Sequence, residues 1–239
     1  MYFVSDVHLG HRSENHIRRE AMFVDFLKSI NNPSTQALYL LGDIWDFWYE
    51  WRHTVPKGYV RVFSALMDLM DAGIKVYYTE GNHDIWTYSY FSELGMEYLP
   101  QPIFREFGGR KFCLLHGDRI CFTSAKYRFM EWLFRNRVIQ WMFGSLIHPT
   151  FAMELGNIMI SNNHLARVKP YVWKGQEEPI VKYAEGVLAE RDVDWFICGH
   201  LHVKVDQPLS KGAHLMVLDS WAEGCAAVAF DCSTGKFVE

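Results

Sequence analysis

Five short apolar runs, each delivering Asp, Asn or His to its end, constrain this chain more than any other feature. They are Tyr2-Phe3-Val4-Ser5-Asp6-Val7-His8, Ala37-Leu38-Tyr39-Leu40-Leu41-Gly42-Asp43, Val76-Tyr77-Tyr78-Thr79-Glu80-Gly81-Asn82-His83-Asp84, Phe112-Cys113-Leu114-Leu115-His116-Gly117-Asp118 and Trp195-Phe196-Ile197-Cys198-Gly199-His200-Leu201-His202. A run of this kind reads as a buried strand, and the polar residue after it stands where the chain leaves the sheet. In an open α/β sheet that edge is where ligands collect.

Because the runs are spread from residue 6 to residue 202, one α/β domain spanning residues 1–239 is expected. Ile17, Ala21, Val24, Leu27 and Ile30 recur at helical spacing with Arg18, Arg19 and Lys28 on the other side, which predicts a helix and a β-α-β start. Val62, Leu66, Leu69 and Gly73 predict a second helix with a glycine stop. Gly108-Gly109, between Ile103 and Leu115, predicts a two-residue hairpin, so the chain turns there from β-α-β units to antiparallel pairs. Val203 to Val205, His214 to Leu218 and Ala226 to Phe230 read as further strands. The pattern as a whole predicts an α/β fold, a four-layer α-β-β-α sandwich of two mixed sheets.

Residues 119–175 interrupt this pattern with ten aromatics, four Met and eight Lys or Arg against two Glu, inside a chain whose net charge is −4. Helices whose apolar positions wrap beyond one buried stripe are expected here. A lid over an anionic, apolar ligand and a cap that fills out the core both fit that composition. The aromatic stretch Trp45 to Trp51 similarly fits a substrate wall or core packing. Five cysteines without paired spacing, three of them in apolar runs, read as buried thiols in a reducing compartment. No secretory leader pattern and no run of about 18 apolar residues is visible, and Val138 to Ile147 is long enough to touch a membrane but not to cross it.

Two divalent ions about 3.5–4 Å apart need a shared carboxylate to screen their repulsion. Asp43 is expected to be that bridge. Asp6 and His8, two residues apart and so on one side of a strand end, join His202 around one ion, while Asn82, His116 and His200 hold the other. His200 and His202 share the same alternation. The mixed oxygen and imidazole set fits Mn²⁺, Fe²⁺, Co²⁺ or Zn²⁺, with Mn²⁺ first, and is too rich in nitrogen for Ca²⁺ or Mg²⁺ to be first choices.

The order Asp-x-His, Gly-Asp, Gly-Asn-His-Asp, His-Gly-Asp, Gly-His-x-His resembles the calcineurin-like metallophosphoesterase family. The resemblance implies a bimetal site that hydrolyses phosphate esters or anhydrides with a metal-bridging hydroxide. It also implies that His83 contacts the phosphate or protonates the leaving oxygen, with Asp84 orienting His83. Within that family, Gly42-Asp43-Ile44-Trp45-Asp46-Phe47-Trp48, Leu94-Gly95-Met96 to Leu99-Pro100, His116-Gly117-Asp118 and Ser220-Trp221-Ala222-Glu223-Gly224 resemble a branch active in lipid A synthesis. That branch splits the pyrophosphate of UDP-2,3-diacylglucosamine to UMP and 2,3-diacylglucosamine 1-phosphate. It implies a nucleotide-linked glycolipid substrate held by Asn82, His83, Ser124, Arg167, Lys169 and His200, and a cytoplasmic enzyme peripheral on the inner membrane through its lid. The chain departs from the branch at His83, where Arg is usual, and at Ser124, where Asp is usual, which bears on uridine and phosphate handling.

Two other functions fit parts of the pattern. A phosphodiesterase or nuclease of the same fold would stack bases on the basic, aromatic insertion. The acidic remainder of the chain argues against that, so no long nucleic acid is expected as partner, and no protein partner is expected either. A catalytically silent scaffold should have lost metal ligands, whereas all seven are present. His11, His16, His53, His148, His164 and His214 lie outside the motifs and read as surface or helix-end residues.

Overall fold

A computed structural model of the chain describes residues 1–11, 16–121, 124–166 and 171–238. The first part alternates strand and helix: β1 Tyr2–Val4, α1 His16–Ser29, β2 Ala37–Leu41, α2 Val60–Asp71, β3 Lys75–Thr79, α3 Tyr90–Glu93 and β4 Glu97–Tyr98. The hairpin β5 Ile103–Phe107 and β6 Arg110–Leu114 follows, then α4 Asp118–Cys121, α5 Ala125–Arg135, α6 Arg137–Leu146, α7 Pro149–Ala166 and α8 Pro179–Glu190. The chain closes with β7 Trp195–Cys198, β8 Val205–Pro208, β9 His214–Val217, β10 Val228–Asp231 and β11 Lys236–Val238.

Among the described residues these strands form two mixed sheets, ordered β11-β10-β1-β2-β3-β4 and β5-β6-β7-β9-β8. β1, β2 and β3 run parallel in the first, β6 and β7 in the second. All five residues of β2 are buried, as a parallel strand covered on both faces requires. Leu38 and Leu40 pack under Phe23, Val24 and Leu27 of α1 and Val62, Leu66 and Leu69 of α2. The alternate residues Ala37, Tyr39 and Leu41 face Phe107, Phe112, Leu114 and Ile197 between the sheets. Ile180, Val181, Ala184 and Leu188 of α8 cover the outer face of the second sheet against Cys113, Phe196 and Leu215. Burial of each such side chain contributes about 1.5–3 kcal/mol, so the four layers follow from the alternation within the strands.

The Gly108-Gly109 turn is present, both glycines having positive φ (52° and 72°) between paired Phe107 and Arg110. The tail strands sit later than the sequence predicts: the expected Val203–Val205 begins at Val205, and the expected Ala226–Phe230 at Val228. Helix α1 also differs from its expected face. Ile17 is 73% exposed while Arg19 is buried, its guanidinium donating to the carbonyl of His8 at 3.2 Å and approaching that of Val7 at 3.5 Å. Loop carbonyls lacking strand partners need donors, and that requirement outweighs the apolar periodicity of the first turn.

Trp45 and Trp48 are core, and no substrate wall: both are buried, and Trp45 stacks on Phe91 at 4.4 Å between ring centroids. By contrast the helices between β6 and β7 leave apolar side chains outside. Helix α5 has no buried residue, and Trp132, Val138, Trp141, Leu146 and Phe151 are each more than half exposed. This segment rests on an aromatic platform. Tyr49 donates through its hydroxyl to the carbonyl of Gln140 at 2.7 Å, and Trp86 through its indole to that of Phe134 at 2.7 Å. No helix among the described residues is long and apolar enough to cross a membrane.

Candidate metal centre

The five motif loops meet at the C-terminal ends of β1, β2, β3, β6 and β7, but not by strand alternation. Asp6, His8, Asp43, His200 and His202 lie beyond the strands with φ of 55°, 50°, 54°, 71° and 54°. Left-handed backbone at non-glycine residues costs about 1–3 kcal/mol each and persists where surrounding contacts over-determine it. Those contacts are visible. The amide of Asp6 donates to Gly42, that of His8 to Asp43 and that of Leu9 to Ile44, at 3.2, 3.0 and 2.9 Å, so the two loops stay zipped after the strands end. Glycine permits the approach: a Cβ on Gly81 would strike the carboxylate of Asp43, and one on Gly199 would strike Ser5 and the carboxylate of Asp6.

Each carboxylate has one oxygen fixed and one turned inward. Asp6 Oδ2 accepts from the amide of His200 at 2.9 Å and from the Ser5 hydroxyl, leaving Oδ1 3.1 Å from His202 Nε2 and 3.7 Å from His8 Nε2. Asp43 Oδ1 accepts from the amide of His83 at 2.8 Å. Its Oδ2 stands 3.3 Å from His116 Nε2 and 3.9 Å from both His8 Nε2 and His83 Nε2. Three groups therefore form, Asp6-His8-His202, His8-Asp43-His83 and Asp43-His116-His200, in each of which the ligand atoms lie within 4.8 Å of one another. Asp43 belongs to two of these groups and stands between the two ends of this chain of donors.

The imidazoles are oriented from behind. His8 Nδ1 donates to Asp46 Oδ1 at 3.1 Å, and His116 Nδ1 to the carbonyl of Leu41 at 2.9 Å, so Nε2 is the nitrogen that faces the centre in both. His83 Nδ1 donates to the carbonyl of Asp46 at 2.8 Å. Asp84, expected to orient His83, meets the backbone of both loops. Its carboxylate takes the amides of Gly81, Ile44, Asp43 and Trp45 at 2.7, 2.9, 3.2 and 3.4 Å, because two glycine-containing loops without strand partners leave those donors to be satisfied. Ser124 caps α5, its hydroxyl accepting from the amide of Tyr127 at 3.2 Å. Arg167 and Lys169 lie outside the described residues.

Three residues that matter here carry no sequence assignment. Asp46 supports His8 and, through its other oxygen, meets His11 Nδ1 at 3.0 Å, which draws His11 toward the site. Gln101 accepts from the amide of His116 at 2.7 Å and donates to the carbonyl of Glu80 at 2.9 Å. Arg19 holds the His8 loop. The second Asp of Gly42-Asp43-Ile44-Trp45-Asp46 was the available signal for the first of these; the other two have none.

The donor set fits a pair of divalent cations. Asp6 Oδ1, Asn82 Oδ1 and His116 Nε2 are buried and take no hydrogen bond among the described residues. The electrostatics agree. Burial opposes ionisation of Asp6 and Asp43, yet His202 and His8 hold Asp6, and His116 and His83 hold Asp43, well below the usual carboxylate range. Burial likewise opposes charge on His8, but Asp46 and Asp6 raise it to about 10, and Asp43 raises His116 well above its ordinary value. His83 is pulled down, chiefly by burial. The site is a field that attracts positive charge, whether protons or metal.

A sequence profile of the calcineurin-like phosphoesterases matches residues 1–204, and the chain belongs to that family of metal-dependent phosphoesterases. It is 29% identical over 251 residues to the UDP-2,3-diacylglucosamine hydrolase of Porphyromonas gingivalis, covering 98% of this chain and 95% of that protein. It is also 29% identical over 233 residues to the protein of the same name from Yersinia pseudotuberculosis, covering 92% and 90%. Among solved structures, a dimetal phosphatase from Danio rerio overlaps with a TM-score of 0.45 at 18% identity, covering 95% of this chain and 90% of that one, too low a likeness to inform the site.

Proposed function

We propose that this chain hydrolyses the pyrophosphate of UDP-2,3-diacylglucosamine, giving UMP and 2,3-diacylglucosamine 1-phosphate. The observation that carries the reading is the placement of the donor cluster beside helices whose apolar side chains face outward, in a chain similar along most of its length to hydrolases of that substrate. A nucleotide diphosphate needs the cations; two acyl chains need the apolar surface.

Asp6, His8 and His202 would hold one ion and Asn82, His116 and His200 the other, with Asp43 between the two groups; Mn²⁺ is the expected occupant. When bound, the pair supplies Lewis-acid activation of water and of the phosphoryl group. The remaining work belongs to the chain itself. Asp43 Oδ1 anchors the His83 amide, and the Asp46 carbonyl fixes the ring of His83, so Nε2 is presented at the centre. From there it contacts a phosphoryl oxygen or delivers a proton to the leaving oxygen. Asn82, His200, Ser124, Arg167 and Lys169 complete the substrate contacts. Residues 119–175 act as a lid, and their exposed apolar side chains rest against the inner face of a membrane.

The test is Mn²⁺-supplemented turnover of UDP-2,3-diacylglucosamine, bis-p-nitrophenyl phosphate and single-stranded DNA by the purified protein. The glycolipid is expected to be consumed fastest, with UMP released; cleavage confined to DNA would replace this reading with a nuclease.

A further inference from the structure

Helix α5 ends in Arg135, whose guanidinium reaches back to the catalytic edge. Its Nη1 donates to Glu80 Oε1 at 2.9 Å, and its Nη2 lies 3.6 Å from Asp118 Oδ2. Glu80 stands two residues before Asn82, and Asp118 two residues after His116. Glu80 and Asp118 are buried, with side chains 11% and 1% exposed, and both oxygens of Asp118 take no hydrogen bond among the described residues. Gln101 ties the same two loops at the level of the backbone, bridging the carbonyl of Glu80 and the amide of His116. A hollow of about 390 Å³ lies alongside, lined by Arg119, Arg128, Trp132 and Arg135. It makes a poor anion site, because Arg119 and Arg135 are already engaged by Glu80, Glu131 and Asp118.

We propose that Arg135 is a positioning residue, a guanidinium from the insertion that holds the Asn82 and His116 loops at the separation one metal ion requires. The inference rests on the metal-centre reading above. Without the guanidinium, two carboxylates in a poorly solvated place repel, and the loops they flank move apart. The consequence is that docking of α5 and completion of the Asn82-His116 ligand pair are one event.

The experiment is calorimetric titration of the whole protein with Mn²⁺, alongside turnover of bis-p-nitrophenyl phosphate, for wild type, Arg135→Met, Arg135→Lys, Glu80→Gln and the Arg135→Met/Glu80→Gln pair. Arg128→Gln, on the same helix, serves as control. Arg135→Met is expected to weaken one of two Mn²⁺ equivalents roughly 10–100-fold, the range for loss of support behind a ligand, and to lower kcat with little change in KM. Arg135→Lys should recover part of the affinity, and Glu80→Gln should shrink the effect of Arg135→Met. Two equivalents bound by Arg135→Met at wild-type affinity would overturn the proposal and leave the metal centre standing. A wild-type protein that binds no Mn²⁺ would instead remove the metal-centre reading, and this proposal with it.

Discussion

Asp43 is the residue that faces both halves of the candidate site. Its Oδ2 faces His116 on one side and His8 on the other, and its Oδ1 holds the amide of His83. Asp43→Ala is therefore expected to reduce hydrolysis below detection while circular dichroism stays native; wild-type turnover would refute the bridging role. The proton balance of the site gives a second expectation. His8 and His116 have raised pKa values, His8 to about 10, so at neutral pH the metal-free protein holds protons on nitrogens that a cation must take. Mn²⁺ binding should release protons, and its affinity should rise as pH climbs from about 6 toward 9. Titrations in buffers of different ionisation enthalpy check this, and an affinity independent of pH would contradict it.

The motif elements act as a unit because glycine lets neighbouring loops come into contact. Gly199 has Ser5 and the Asp6 carboxylate where a Cβ would be, so Gly199→Ala must displace both of them. Forced displacement in a packed site costs about 1–3 kcal/mol. The expected outcome is a lower melting temperature together with weaker binding of the ion proposed for Asp6, His8 and His202. A variant with both properties unchanged would show that this approach is not required. The contact of Trp86 and Tyr49 with Phe134 and Gln140 is the corresponding joint between the catalytic edge and the helices that follow β6. It places the end of α5 beside Trp86, three residues after His83, and Gln140 of α6 beside Tyr49 and Tyr88.

At the scale of the molecule, two sheets and their covering helices form the support, and the helices between β6 and β7 present the unusual surface. Trp132 and Trp141 are 57% and 68% exposed beside Arg128 and Arg137, a mixture suited to an anionic bilayer surface. Trp132→Ser and Trp141→Ser together should lower co-sedimentation with anionic phospholipid vesicles at least several-fold while turnover of bis-p-nitrophenyl phosphate remains. Equal sedimentation of variant and wild type would remove the membrane role.

Sequence alone determined the five strands and the polar residues gathered at their ends, because a buried parallel strand must be apolar throughout and any polar residue after it stands out. The Gly108-Gly109 hairpin and the face of α2 were equally legible, being set by local backbone freedom and by period. The left-handed turns at Asp6, His8, Asp43, His200 and His202 were not legible, since alternation along a strand would have brought the same residues together by a different path. Nor were the duties of Arg19, Asp46, Asp84, Gln101 and Arg135. A guanidinium on a helix or a carboxylate in a loop has many conceivable partners, and only the tertiary approach of segments far apart in the chain decides which unsatisfied carbonyl, amide or charge it must meet.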